Sequence, residues 1–337
     1  MAGRSANERV EVNKAFRTAA SEGHLDLVKF CVGKGAQIEK PNEDFGATAL
    51  LLASSQGHLD VVKYLVGQGA QIDTCDNTYG ETPLHSASGN GYLDVVRYLV
   101  SQGAPVETFT THGETPLIVA SFKGRLDIVE YLFSQGANIE AGNNNGSTPL
   151  IAASQKSHLD VIKFLISNGA HIDKPDKDGR TALLTASLHG YLDVVEYLVG
   201  QGAQLEQEDN GGVRLLHFAS QSGNLGLVQY LVGQGAEVER GDNEGQTPLY
   251  IASSNGHLDV VQYLVGQGAQ IERCNIFGNT PLIVASHFGH LDVVRFLKRE
   301  QAQRKEASPE GMIRILTVIM GGYIMSKIDV FIETEPS

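Results

Sequence analysis

The chain has few cysteines. Only three occur among its 337 residues. Cys31, Cys75 and Cys274 lie too far apart for a disulfide framework, and no CxxC pair is present to hold zinc. Free thiols in a reducing compartment are therefore expected, the cytoplasm first and the nucleus as the alternative. Positive charge is also short. Lys and Arg total 26 against 39 Asp and Glu, which gives a net charge of −13. Phosphate contacts need clustered cations, so nucleic acid is not an expected partner. Long apolar runs are missing. No stretch reaches the roughly 18 uninterrupted apolar residues of a spanning helix. The start, MAGRSANERVEV, has no apolar core of a signal peptide. Glycine is plentiful at 38 residues, yet none forms GxxxxGK[ST] or GxGxxG, and GxSxG is absent. No cofactor, metal or catalytic nucleophile is expected.

What is there is repetition. The segment GHLDVVKYLVGQGAQI at residues 57–72 returns nearly unchanged at 190–205 and 256–271. Its Leu recurs at Leu25, Leu59, Leu93, Leu126, Leu159, Leu192, Leu225, Leu258 and Leu291. The steps are 34, 34 and then 33 six times. Asp follows that Leu everywhere except at Gly226. A Gly-Ala pair closes eight copies, and Gln301 replaces the Gly in the ninth. Repetition at this period signals stacked units that bury one another's apolar faces.

One unit reads as two short helices. In the third copy Thr82 is a good N-cap, because its hydroxyl accepts a free backbone N–H. Pro83 suits the first helical position, where its missing N–H costs nothing. Gly91 suits the left-handed C′ position. Leu93-Asp94 opens the second helix, with the carboxylate at the positive end of the helix dipole. Leu93, Val96, Leu99 and Val100 make one apolar face. Gly103 stops the helix, and a turn-rich stretch leads to Gly113 and the next Thr115-Pro116-Leu117.

This pattern, G-x-TPLH-x-A…G-x-LDVV-x-YL-x-x-GA, is complete from Gly80 to Ala104. In it the chain resembles ankyrin-repeat proteins over about 290 residues. The resemblance implies an all-α ankyrin-repeat solenoid of stacked helix-turn-helix units with β-turn or hairpin loops, elongated and curved. Nine units are expected over residues 13–302, the first and last being atypical caps. A flexible segment is expected at 1–12 and a tail at 303–337. Both are too short for the kinase, transferase or channel domains that some ankyrin-repeat proteins carry, so no enzyme activity is expected.

The copies differ in places. Thr-Ala-Leu stands at residues 48–50 and 181–183. The seventh unit has Arg214-Leu215-Leu216 and lacks the acid at Gly226, so loosening is expected there. Ser157 replaces a helix-ending Gly. The two steps of 34 place one extra residue near 42–44 and 75–78. Five histidines, His24, His58, His158, His257 and His290, share one slot and read as a repeated turn residue. Stacked helices are about 8–10 Å apart, too far for shared metal ligands. Two acid rows, one from Asp26 to Asp292 and one from Glu39 to Glu272, read as helix starts and a solvated face. They offer a strip that would speed encounter with a basic partner.

In ankyrin-repeat proteins, loop tips and first helices line a concave groove that holds partners. The resemblance places Tyr79, His112, Asn145, Asp178 and Glu244 at the tips. On the first helices it places Phe122, Lys123, Gln155, Lys156, Leu188, His189, His287 and Phe288, with Ile276 and Phe277 in the last loop. Phe122, Leu188, Phe277 and Phe288 are large apolar groups where other copies carry small or polar ones, as binding hot spots do. Arg180 and Lys156 add a local basic spot. The expected function is a monomeric, non-enzymatic scaffold or adaptor that holds a protein partner in the groove. The rival is a fragment or regulatory subunit of a larger signalling protein or enzyme, and a bare spacer is the third reading. In the tail, two β-branched runs flank Gly321-Gly322, which reads as a hairpin capping the last unit, with a docked helix next.

Overall fold

The computed structural model describes residues 6–307. The hairpin or helix expected in the tail lies outside the described residues. Eighteen α-helices and no extended strand occur among the described residues. The chain divides into two compact units, the first ending at Asn210 and the second starting at Gly211. The division falls in the loop that leads into the seventh repeat.

In the first unit the helices form six pairs. They are α1 (Ala6–Glu22) with α2 (Leu25–Gly33), α3 (Ala49–Ser55) with α4 (Leu59–Gly67), and α5 (Pro83–Asn90) with α6 (Leu93–Ser101). They continue with α7 (Pro116–Phe122) and α8 (Leu126–Ser134), α9 (Pro149–Ser154) and α10 (Leu159–Ser167), and α11 (Ala182–Leu188) and α12 (Leu192–Gly200). The second unit holds α13 (Leu215–Ser222) with α14 (Leu225–Gly233), α15 (Pro248–Asn255) with α16 (Leu258–Gly266), and α17 (Pro281–His287) with α18 (Leu291–Ala307). Within each unit the first helices of successive pairs pack side by side, and each second helix packs on its own first helix.

The local signals work as read. The Thr48, Thr115, Thr148, Thr247 and Thr280 hydroxyls each accept the backbone N–H three residues on, at 3.2–3.3 Å. Gly91 ends α5 at φ 90°. In the seventh repeat Arg214 gives no side-chain cap, but Asn224 caps α14 by accepting from Leu227 at 3.1 Å, where Gly226 supplies no acid. The extra residue of the first two loops is visible in their turns. Asn42 and Asp76 each reach the N–H five residues on, at Ala47 and Glu81. Asn143 and Asp176 reach only four, to Ser147 and Arg180.

Three expectations change. The apolar face of α6 is Val95, Val96 and Leu99, while Leu93 and Val100 are half-buried. Leu93 sits in the first turn, where only part of the neighbouring pair reaches it. The flexible segment expected at 1–12 is helical from Ala6. Phe16 and Ala19 of α1 are fully buried, and the helix they anchor continues toward the N-terminus through the exposed Glu8 to Glu11. At the other end α18 runs through residue 302 to Ala307.

The repeats are joined by bonds between groups 31 to 37 residues apart. His58, His158, His257 and His290 donate from Nε2 to the carbonyls of Ser21, Phe122, Gln221 and Ser254 at 2.9–3.0 Å. Arg125 does the same from Nε to Gly89 at 3.2 Å. The second acid row is not simply solvated. Glu39, Glu107, Glu140, Asp173 and Glu239 accept the backbone N–H of Gln71, Asn138, His171, Gln204 and Gln270 at 2.7–3.2 Å. Asp73 has no such bond because its counterpart is Pro105, which lacks the N–H. At the start of the array, Asn13 of α1 accepts from Gln37 at 2.8 Å and so replaces the acid of a preceding repeat.

Two buried histidines tie stability to pH. His85 Nε2 donates to the Glu114 carbonyl at 2.9 Å, so Nδ1 must accept, and it faces the Thr82 N–H and hydroxyl. Burial pushes its pKa below the ordinary value, against the opposing pull of the Glu114 and Thr108 carbonyls and Asp76. His217 is held down the same way, chiefly by burial. A lowered folded-state pKa means that the unfolded chain takes up the proton first. Stability contributed by these groups is thus present above about pH 6.5 and falls as pH drops below it. We expect the urea midpoint to decrease between pH 7 and pH 5. His85→Leu, which copies Leu51 and Leu184 in the same slot, should flatten that decrease. An unaltered pH slope in the variant would contradict the assignment.

Candidate functional site

The loop tips form a backbone-linked row. The Phe45 carbonyl accepts from Asn77, Tyr79 from Thr111, His112 from Asn144, Asn145 from Lys177 and Asp178 from Asn210, at 2.8–2.9 Å. In the second unit Gly211 accepts from Asn243 and Glu244 from Ile276, at 3.0 and 2.9 Å. With their backbone groups used in this way, the tip side chains project. The tip residue is exposed in every repeat from Phe45 to Phe277. The residue before the Gly that ends a first helix is likewise open at Gln56, Asn90, Lys123, His189, Asn255 and Phe288, as is Lys156 before Ser157, while Ser222 of the seventh repeat is half-buried.

On the first unit the tips carry Tyr79, His112, Asn145 and Asp178. Tyr79 and His112 stand with ring centroids 6.5 Å apart. The helix-end residues are Phe122-Lys123, Gln155-Lys156 and Leu188-His189. Phe122 is half-buried rather than fully open, with Lys123 Nζ at 5.6 Å and Lys156 Nζ at 5.2 Å from its ring centre. Leu188 is also half-buried, and Gln155 caps α9. The large apolar groups at these two slots therefore underlie the surface instead of standing from it. His189 has its pKa lowered by burial and by the nearby Lys156. Arg180 lies 3.8 Å from Asp209, so part of its charge is balanced.

On the second unit Glu244 occupies a tip and Oε2 accepts from Gln246 Nε2 at 2.7 Å. Ile276 and Phe277 are both 67% exposed and Phe288 is 59% exposed. His287 meets the Phe288 ring edge-on at 5.0 Å. The structure brings Tyr79 to His112, Lys123 and Lys156 to Phe122, Ile276 to Glu244 and His287 to Phe288. Sequence reading missed Phe45 and Phe109, which are 58% and 59% exposed. Phe45 precedes Gly46 as Tyr79 precedes Gly80, and that spacing could have found it. Phe109 shares its slot with Cys75 and Cys274, and no local pattern marks it. Among the described residues no group of three or more His, Cys, Asp and Glu is placed to hold a metal.

A family model for ankyrin repeats in three copies matches residues 16–110, 68–143, 117–209 and 216–308. The chain belongs to the ankyrin-repeat family. The ankyrin repeats account for all the helix pairs described above, and repeats of this kind generally mediate binding to other proteins. Comparison with curated proteins finds no match. Among the described residues of the ankyrin array, no helix is long and apolar enough to cross a membrane.

Proposed function

We propose that this ankyrin array is a non-enzymatic scaffold or adaptor that holds a protein partner against its tip and first-helix edge. One observation carries the reading. The tip slot stays open in every repeat from Phe45 to Phe277 and the helix-end slot in every repeat but the seventh, where Ser222 is half-buried, and those are the slots where the copies carry different side chains. A rigid row of such positions presents a surface with little ordering cost on binding. The exposed Phe277, Phe288 and Tyr79 are the anchors of choice, since buried aromatics dominate interface energies. The row of first-turn acids, Asp26, Asp60, Asp94, Asp127, Asp160, Asp193, Asp259 and Asp292, faces solvent in both units. It supplies the field that would steer a partner with a basic surface.

Capture from lysate tests this with three proteins. They are the unmodified chain, Phe122→Ser with Leu188→Gln, and Phe277→Ser with Phe288→Gln. Each is first shown to be folded by circular dichroism. We expect a protein retained by the unmodified chain to be lost from at least one variant. Its binding should protect the tip amides of that unit from hydrogen exchange. Identical catches from all three would overturn the edge assignment.

A further inference from the structure

The two ends of the array are finished differently. At the first end α1 covers the neighbouring pair, with Phe16, Ala19 and Ala20 fully buried and Asn13 closing the backbone bond to Gln37. At the last end nothing among the described residues follows α17 and α18. Comparison of equal slots shows what this leaves open. Ile283 is 49% exposed, while its counterparts His217 and Tyr250 are at 2% and 9%. Leu282 and Val294 are half-buried where Leu249 and Val261 are fully buried. Leu291 is 63% exposed where Leu225 and Leu258 are half-buried. Phe277 and Phe288 do not belong to this face, because the Phe277 slot is open in every repeat and the Phe288 slot in every repeat but the seventh.

We propose that this terminal face of Leu282, Ile283, Leu291 and Val294 is covered by the chain's own residues 308–337. The first argument is placement. The segment begins directly after α18, the helix that forms half of the face. The second is length. A helix pair such as Pro248 to Gly266 takes 19 residues, and 30 remain after Ala307. The polar extension from Leu297 to Ala307 carries the chain about 15 Å at 1.5 Å per residue. Thirty residues span up to about 100 Å when extended, so the return is easily made. The third is composition. Met312, Ile313, Ile315, Leu316, Val318 and Ile319 are apolar, unlike the charged Lys298, Arg299, Arg304 and Lys305 before them. Tethering holds such a segment near the face at an effective concentration on the order of millimolar, far above that of a separate molecule. The array would then be closed at both ends by non-repeat sequence, which leaves the edge as the surface for other proteins.

The chain contains no tryptophan, so Leu316→Trp in the full chain is a sole reporter. We expect blue-shifted emission and acrylamide quenching several-fold weaker than for an exposed tryptophan. Adding Ile283→Asp or, separately, Leu291→Lys should restore the emission and quenching of an exposed ring while helicity is kept. Hydrogen exchange gives a readout that leaves the face intact. Amides of α17 should exchange several-fold faster in Leu316→Asp/Ile319→Asp than in the unmodified chain. An exposed reporter, or one indifferent to both face substitutions, would overturn the proposal. So would a blue shift that grows with protein concentration alongside a doubling of mass, which would make a second copy the occupant.

Discussion

Phe16→Ala should destabilise the first unit by about 3–5 kcal/mol, the usual cost of emptying an aromatic site in a packed core. Phe16 is fully buried in α1. It fills the slot that Leu50, Leu84 and Leu117 fill in later repeats, and no described repeat lies before it to share the load. Truncation would leave a cavity between α1 and the pair it covers. Because each repeat touches only its neighbours, the loss should be local. Hydrogen exchange should speed up in α1, α2 and α3 and remain unaltered in α17. Phe16→Leu, which restores the side chain used elsewhere, should recover most of the stability. A loss below about 1 kcal/mol, or equal exchange changes along the whole chain, would show that α1 is not the closing element.

Gly124→Ala should cost about 2–3 kcal/mol, a large penalty for one methyl group. Gly124 has φ 68° and ends a first helix. The left-handed conformation alone costs an alanine roughly 1–2 kcal/mol. A Cβ there would also press into the His158 ring of the next repeat. That ring donates to the Phe122 carbonyl at 3.0 Å, and displacing it forfeits a bond worth about 0.5–1.5 kcal/mol. The reciprocal change tests the same account with opposite sign. Ser157 occupies the equivalent slot at φ 57° and is the one non-glycine residue with positive φ among those described. Its hydroxyl makes only a long contact, 3.4 Å, with Asp193. Ser157→Gly should stabilise by about 0.5–1 kcal/mol, after allowance for the extra freedom of glycine in the unfolded chain. Thermal or urea unfolding of both variants checks the pair. If Gly124→Ala is neutral, or Ser157→Gly destabilises, the close approach of the repeats has been misassigned.

The sequence by itself determined the repeat, the two helices in each copy and their ends. Thr82, Pro83, Gly91 and Asp94 act on backbone groups within a few residues, so their effect is written in local order. The slots of the open edge were legible too, since Tyr79 and Phe288 hold fixed places in a repeating frame. Only the tertiary structure decided what joins one repeat to the next. Glu140 accepts the His171 N–H, His158 reaches Phe122, and Asn13 stands in for a missing acid. These partners are 24 to 36 residues apart, and nothing local in the chain distinguishes a bonded carboxylate from a solvated one. Exposure was decided in the same way. Phe122 and His287 share one slot, two residues before the helix-ending Gly, but Phe122 is half-buried with Lys123 and Lys156 over its ring, while His287 is exposed. Ile283 is open for a third reason: no described repeat lies beyond it. Burial depends on what is packed alongside, and the identity of the residue does not carry that information.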